Sequence, residues 1–175
     1  GVKEYLSRLK ALGFDSWRWD MVKGFSASYV GPYNTDSAPY GSVGEYWDGN
    51  ATNVKAWVDG TTKKSTAFDF PLYYNLSSAL LGNYSKLAGT PGLSSQTGYK
   101  DLAVTFIDNH DTFVTTEWVA DANVMKGYAY IMTHPGIPCV FFSHYYGGTY
   151  TKDGVTRTYT SHANEINILM AVRKT

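Results

Sequence analysis

The alternation of short apolar stretches with helical segments constrains the fold of this chain more than any other feature. Residues 2–12 carry apolar side chains at helical spacing and end before Gly13. Five strand-like stretches follow, at residues 14–22, 41–47, 66–70, 102–107 and 136–142. This order predicts an α/β fold with a parallel sheet. Because the stretches are apolar, we expect burial on both faces, as in a barrel or a doubly wound sheet.

The segments between the strands are of two kinds. Helices are predicted from Pro71 through residue 81, around Val124, Tyr128 and Ile131, and at the end of the chain, where Ile166 and Met170 recur at helical spacing. Two stretches rich in glycine and small polar residues, 88–98 and 147–161, are predicted to be loops.

Composition narrows the class of protein. With 15 basic and 15 acidic residues and no polybasic run, the chain lacks the charge footprint of a nucleic-acid or membrane-surface binder. No apolar run has the length that a membrane span needs. A single cysteine excludes an intrachain disulfide framework. The 28 aromatic residues suit either a large core or flat platforms for sugar rings.

Polar residues gather where the predicted strands end. Arg18 and Asp20 end the first strand, Glu45 lies near the end of the second, and the sequence FIDNHD at 106–111 ends the fourth. The carboxyl ends of the strands in a parallel α/β barrel face a shared mouth, where active sites lie. We therefore expect Asp20, Glu45 and Asp111 to converge, although like charges make such a cluster costly.

Hydrolysis of a glycosidic bond needs two acids in different states of ionisation. Arg18, two residues away on the same strand face, should keep Asp20 ionised, which suits a nucleophile. Partial burial of Glu45 between Val43 and the aromatic pair at 46–47 would favour its protonated form, which suits a general acid/base. Asp111 would then bind sugar hydroxyls, with help from its neighbours at 109–110.

Taken singly, these residues have simpler interpretations. Arg18 and Asp20 alone more often form a structural ion pair. The sequence DNHD at 108–111 also fits a metal site or loop capping, because Asp and Asn favour turns and His is a common ligand. It is the combination of all three strand ends that favours an active site.

The combination resembles the α-amylase family of glycoside hydrolases. Three motifs carry the resemblance: GFDSWRWDMVKGF at 13–25, VGEYWD at 43–48 and FIDNHD at 106–111. Residues 124–142 and 166–175 are most similar to plant-type and bacterial α-amylases. The resemblance extends over practically the whole chain, and residues 49–100 are its least diagnostic part.

The resemblance implies roles for individual residues. Asp20 corresponds to the nucleophile, Glu45 to the general acid/base and Asp111 to the third acid, which stabilises the transition state. Arg18 would orient Asp20, and His110 would hydrogen-bond the glucose in the cleavage subsite.

Further residues match sugar and metal contacts of the family. Lys23 and Trp47 resemble residues that hold sugars on the leaving-group side. The backbone carbonyl of Gly24 corresponds to a ligand of the calcium ion that many members bind, and a carbonyl oxygen suits calcium. Calcium is therefore the cofactor that the resemblance implies.

The family's barrel has eight strands, of which the five here resemble the fourth to the eighth. We expect residues 1–175 to be part of a catalytic barrel domain that lacks the first three strands, the loop domain after the third strand and the C-terminal sheet domain. An open five-strand arc leaves two strand edges and the barrel centre uncovered. The isolated chain is therefore expected to be inactive and marginally stable.

The function that follows is retaining endo-hydrolysis of α-1,4-glucosidic bonds in starch, maltooligosaccharides and related α-glucans by a longer, monomeric protein, for which the resemblance favours secretion. Three alternatives stay open: an α-glucan transglycosylase with the same acids, a non-catalytic glucan-binding homologue, and an unrelated α/β metal protein with His110 as a ligand. The presence of all three acids disfavours the non-catalytic homologue.

Overall fold

The computed structural model describes residues 1–116 and 118–174; Glu117 and Thr175, the last residue of the stretch 166–175, lie outside the described residues. Five strands form one parallel sheet: β1 Ser16–Trp19, β2 Gly41–Gly44, β3 Thr66–Phe68, β4 Ala103–Thr105 and β5 Ile137–Pro138. Their order in the sheet follows the chain, β1-β2-β3-β4-β5. A doubly wound sheet reverses its order, so the sequential order identifies a partial α/β barrel.

Helices connect and flank the strands. They are α1 Val2–Ala11, α2 Ala27–Ser37, α3 Ala51–Gly60, α4 Phe70–Leu80, α5 Asp121–Thr133, α6 Phe142–Tyr146 and α7 Ala163–Arg173. The predictions of α1, α4, α5 and α7 are confirmed. Among the described residues, no helix combines the length and apolarity needed to cross a bilayer.

Helices α2, α3 and α6 were not predicted, and Phe142, the first residue of α6, was expected to end the fifth strand. Gly31 and Pro32 interrupt the first, which weakens its helical pattern, although Ser26 caps its start by accepting the backbone N–H of Ser28. The second starts in the same way at Asn50, and buried Val54, Trp57 and Val58 hold it against the sheet.

The prediction of a loop at 147–161 is wrong. Strands β6 Gly148–Lys152 and β7 Val155–Tyr159 pair there as an antiparallel hairpin. Asp153 and Gly154, at φ 51° and 77°, form its two-residue turn. Both angles are left-handed, as the tightest hairpin turns require, and Asp-Gly is a preferred pair for such turns.

The sheet packs on its helices by alternate residues. Trp17 is buried and donates from Nε1 to Ser37 Oγ at 2.9 Å, whereas Ser16 and Arg18 on either side of it are exposed. The opposite face lines an open cavity of about 1020 Å³, whose walls include Val43, Thr66, Val104 and Ile137. The inner face of this partial barrel is therefore accessible.

Candidate active site at the strand ends

The register of β1 and β2 brings Asp20 and Glu45 side by side. Trp19 pairs with Gly44, and the Glu45 N–H donates to the Trp19 carbonyl at 2.9 Å. Arg18 then contacts both acids: Nη1 donates to Asp20 Oδ1, and Nη2 donates to Glu45 Oε1 at 2.5 Å. One guanidinium thus bridges the two acids that sequence analysis selects as nucleophile and acid/base.

The environments of these two acids differ. The Glu45 side chain is 6% exposed, whereas that of Asp20 is 69% exposed. Met21, in the left-handed conformation at φ 43°, donates its N–H to Glu45 Oε2 at 3.1 Å. The expected partial burial of Glu45 is confirmed and is nearly complete. A pair of carboxyl groups with different solvation suits a reaction that gives them different roles.

Lys23 and Trp47 lie next to this pair in sequence and are held by neighbouring side chains. Lys23 Nζ is 3.0 Å from Asp48 Oδ2 and 5.1 Å from the centroid of the Tyr46 ring. Trp47 Nε1 donates to Tyr74 Oη at 2.8 Å. Both side chains are thereby restrained by their neighbours, and their contact with sugars stays a prediction.

Asp111 follows β4, whereas Asp20 and Glu45 follow β1 and β2. Strand β3 lies between β2 and β4 in the sheet. His110 Nε2 is 3.2 Å from Asp111 Oδ2. Lys152, from the hairpin, donates to Asp111 Oδ1 and to the His110 carbonyl, the latter at 3.0 Å. The structure thus brings Asp20 and Glu45 into one group and Asp111 and His110 into another; that all of them surround one sugar stays a prediction.

The other two polar residues of the FIDNHD motif, Asp108 and Asn109, support the backbone. Asp108 is buried and accepts hydrogen bonds from the Thr112 hydroxyl, the Asn109 N–H at 3.0 Å and the Tyr159 hydroxyl at 3.3 Å. Burial raises the pKa of Asp108 to about 6. Asn109 Oδ1 accepts the N–H groups of Asp111 and Thr112, each at 2.8 Å. These bonds set the turn that presents His110 and Asp111.

No group of three or more His, Cys, Asp or Glu side chains in the described part of the chain is arranged to hold a metal ion. Gly24, which ends a short 3-10 turn at Val22–Gly24, offers one backbone carbonyl. The side chains present do not complete a calcium site around it, because calcium takes six to eight oxygen ligands.

No motif in the sequence singles out Lys152 as a site residue. The missed signal is Asp153-Gly154 between stretches rich in Thr, Val and Tyr, which is a strong short-range indication of a hairpin. Recognition of the hairpin would still have left its docking against Asp111 unknown, because that contact spans 41 residues.

A partial parallel α/β barrel with acids at the carboxyl ends of its strands is the construction of barrel-type glycoside hydrolases. No family model matches the chain. The chain is 40% identical over 155 residues to probable alpha-amylase 2 of Arabidopsis thaliana. The aligned region covers 77% of this chain and 37% of that protein. It is also 30% identical over 171 residues to the glucan 1,4-alpha-maltotetraohydrolase of Stutzerimonas stutzeri. That aligned region covers 84% of this chain and 30% of the relative.

The fold comparison agrees. The crystal structure of an Anoxybacillus alpha-amylase matches with a TM-score of 0.67 and 18% identity, over 98% of this chain and 42% of the other. The chain is therefore homologous to the α-amylases over most of its own length, and the resemblance carried by the three motifs is confirmed. It spans 37% or less of the length of the two curated relatives.

Proposed function

We propose that the full-length protein hydrolyses internal α-1,4-glucosidic bonds of starch and related α-glucans with retention of configuration, and that this chain supplies part of its catalytic barrel. The observation that carries the proposal is the Arg18 bridge between Asp20 and Glu45 at the carboxyl ends of adjacent strands. Retaining glycosidases need two carboxyl groups close together, one as nucleophile and one as acid/base.

The chemistry takes two steps. Asp20 attacks the anomeric carbon while Glu45 gives its proton to the glycosidic oxygen, so that the bond breaks and a glycosyl ester forms on Asp20. Glu45 then takes a proton from water, the hydroxide attacks the anomeric carbon, and Asp20 leaves as carboxylate. Arg18, which donates to both acids, holds them in position for both steps.

The remaining roles concern the sugar. Asp111 would accept hydrogen bonds from hydroxyls of the glucose at the cleavage point, most strongly in the transition state, and His110 would bind the same ring. Lys23 and Trp47 would hold the glucose units on the leaving-group side. The exposed position of His110, whose side chain is 64% exposed, supports a ligand contact rather than a core role.

Calcium and the domain boundaries are part of the same proposal. The Gly24 carbonyl would contribute one ligand, and most of the other ligands would come from outside residues 1–175. The accessible inner face and the sequential five-strand order support the view that residues 1–175 form the C-terminal part of a longer barrel. Starch and maltooligosaccharides are the expected partners of the complete protein.

The variant Asp20→Asn tests the nucleophile. In the full-length protein we expect kcat on starch to fall by about 10⁴-fold or more, since the amide cannot form the ester, while maltohexaose binding measured by calorimetry is retained. The matched control is Asp36→Asn. Asp36 is an exposed acid near the C-terminal end of α2 that pairs with Lys3 of α1, and its replacement should leave both quantities unchanged. Unchanged turnover in Asp20→Asn would refute the assignment.

The stereochemistry and the acceptor are tested together. The first product from maltohexaose, followed by NMR, should be the α-anomer; an initial β-anomer would indicate an inverting enzyme and contradict the proposal. Products longer than the substrate would show that the protein transfers glucan chains to sugar rather than to water.

A further inference from the structure

The hairpin β6–β7 lies against the segment that carries His110 and Asp111. Three of its side chains hydrogen-bond that segment: Lys152 to the His110 carbonyl at 3.0 Å, Arg157 Nε to the Phe113 carbonyl at 3.2 Å, and Tyr159 to Asp108 Oδ2 at 3.3 Å. The Arg157 guanidinium also lies 4.2 Å from the centroid of the Trp118 ring. The hairpin is therefore docked through residues of both its strands and not attached by one contact.

Lys152 is the hairpin residue that reaches Asp111. It donates to Asp111 Oδ1, while Oδ2 faces His110 Nε2 at 3.2 Å, so each carboxylate oxygen has its own neighbour. The hydrogen bond to Asp111 raises the pKa of Lys152, and nearby Asp153 acts in the same direction more weakly. Lys152 is thus a charged partner of the acid.

Stability alone does not explain this pair. Lys152 and Asp111 are 38% and 33% exposed, and ion pairs of that exposure contribute only about 0–1 kcal/mol to folding. An acid that must bind sugar hydroxyls, by contrast, has to be ionised and held in one orientation before the substrate arrives.

We propose that Lys152 is a positioning residue: it fixes Asp111 through Oδ1 and leaves Oδ2 directed toward His110 and the sugar. This inference rests on the proposed function. The hairpin contributes to the reaction through Asp111, and Lys152 itself need not touch the substrate.

The kinetic test compares three variants of the full-length protein. Lys152→Met should lower kcat on maltohexaose by roughly 10- to 100-fold with little change in KM, because a misplaced Asp111 weakens mainly the transition state. Lys152→Arg should recover most of the loss, since a guanidinium also donates to a carboxylate. Lys126→Met removes an exposed lysine of α5 that donates to Asn123 Oδ1, and it should leave kcat unchanged.

A second measurement does not depend on activity. After reductive methylation with ¹³C-formaldehyde, the Lys152 resonance is assigned by its absence in Lys152→Met and titrated by NMR. The pKa of Lys152 should fall in Asp111→Asn, because the carboxylate that raises it is gone.

The outcomes are distinguishable. An unchanged or higher kcat in Lys152→Met, or an equal loss in Lys152→Arg, would overturn the positioning role. A Lys152 pKa that is the same in Asp111→Asn and in the wild type would contradict the contact between Lys152 and Asp111. Absence of α-glucan hydrolysis by the wild-type protein would overturn the proposed function, and the NMR titration would then still decide whether Lys152 holds Asp111.

Discussion

Arg18 contacts more of the site than its sequence position indicates. Its spacing from Asp20 predicts one ion pair, and the structure adds a second to Glu45 at 2.5 Å. The second contact depends on the register of β1 against β2, which a strand-end motif alone does not specify. The buried Glu45 carboxyl group therefore has a hydrogen-bond donor on the neighbouring strand and is not left unpaired.

Asp108 makes stability depend on pH. Burial raises its pKa to about 6 in the folded state, so the folded protein favours the protonated acid. The stabilisation is fully present below the ordinary pKa near 4 and is lost as pH rises through 6. We expect the free energy of unfolding of Asp108→Asn, relative to wild type, to increase by about 2–3 kcal/mol between pH 4 and 7.

Urea unfolding at several pH values would measure this difference. His144 Nε2 lies 3.9 Å from Asp108 Oδ2, and burial lowers the pKa of His144 to about 3, so its contribution is lost as pH falls below 6.5. The wild type and Asp108→Asn both retain His144, and the difference between their free energies of unfolding therefore reports mainly on Asp108. A difference that does not vary with pH would contradict the prediction.

At the scale of elements, helix α3 rests on strand β2 at a glycine. A methyl group at Gly44 would lie 2.6 Å from Cζ2 of the buried Trp57 ring. At Gly41, on the same strand, the nearest atom to an added methyl group is Ser16 Oγ at 3.5 Å, an ordinary contact. The close approach of strand and helix thus depends on the first glycine and not on the second.

Gly44→Ala should therefore lower the free energy of unfolding by about 1–3 kcal/mol, because the indole ring or the helix must move. Gly41→Ala is the matched control and should change it by less than about 0.5 kcal/mol. Thermal unfolding of the two variants measures both values. Equal effects would show that the packing of α3 on β2 does not depend on Gly44.

The elements also show what the sequence could predict. All five parallel strands follow from apolar stretches ended by polar residues, and α1, α4, α5 and α7 from apolar residues at helical spacing. Helix α2 is not predicted because Gly31 and Pro32 interrupt its helical pattern. Tertiary packing overrides this weak helix propensity. The hairpin is not predicted because a stretch rich in Gly, Thr and Tyr is typical of a loop, although Asp153-Gly154 favours a hairpin turn.

The candidate site was predictable in its members but not in its contacts. The strand-end motifs supply Asp20, Glu45 and Asp111, since local sequence encodes where a strand stops. Lys152 depends on the docking of a hairpin 41 residues away, which no local pattern encodes.

At the scale of the whole molecule, the inner face of the sheet is uncovered. The outer strands of the sheet are β1 and β5, and Ile137 in β5 is 44% exposed. Phe142, which opens α6 just after β5, is 61% exposed. Uncovered strand edges beside apolar side chains favour association between chains.

We therefore predict that the purified 175-residue chain self-associates and does not cleave starch. Sedimentation velocity and a reducing-sugar assay test the two parts, with the full-length protein as the active control. A monomer that unfolds cooperatively and cleaves starch would contradict the prediction and would assign the whole activity to these residues.

The Lys152–Asp111 pair also has a consequence for the order of events during translation. All residues of the Arg18 bridge have been synthesised once Glu45 is added. Asp111 receives its ammonium partner only after 41 more residues have been added and the hairpin has closed. A nascent chain that ends before Lys152 contains both acids of the Arg18 bridge but lacks the restraint on Asp111, so the hairpin, which follows all five strands of the parallel sheet, completes the site.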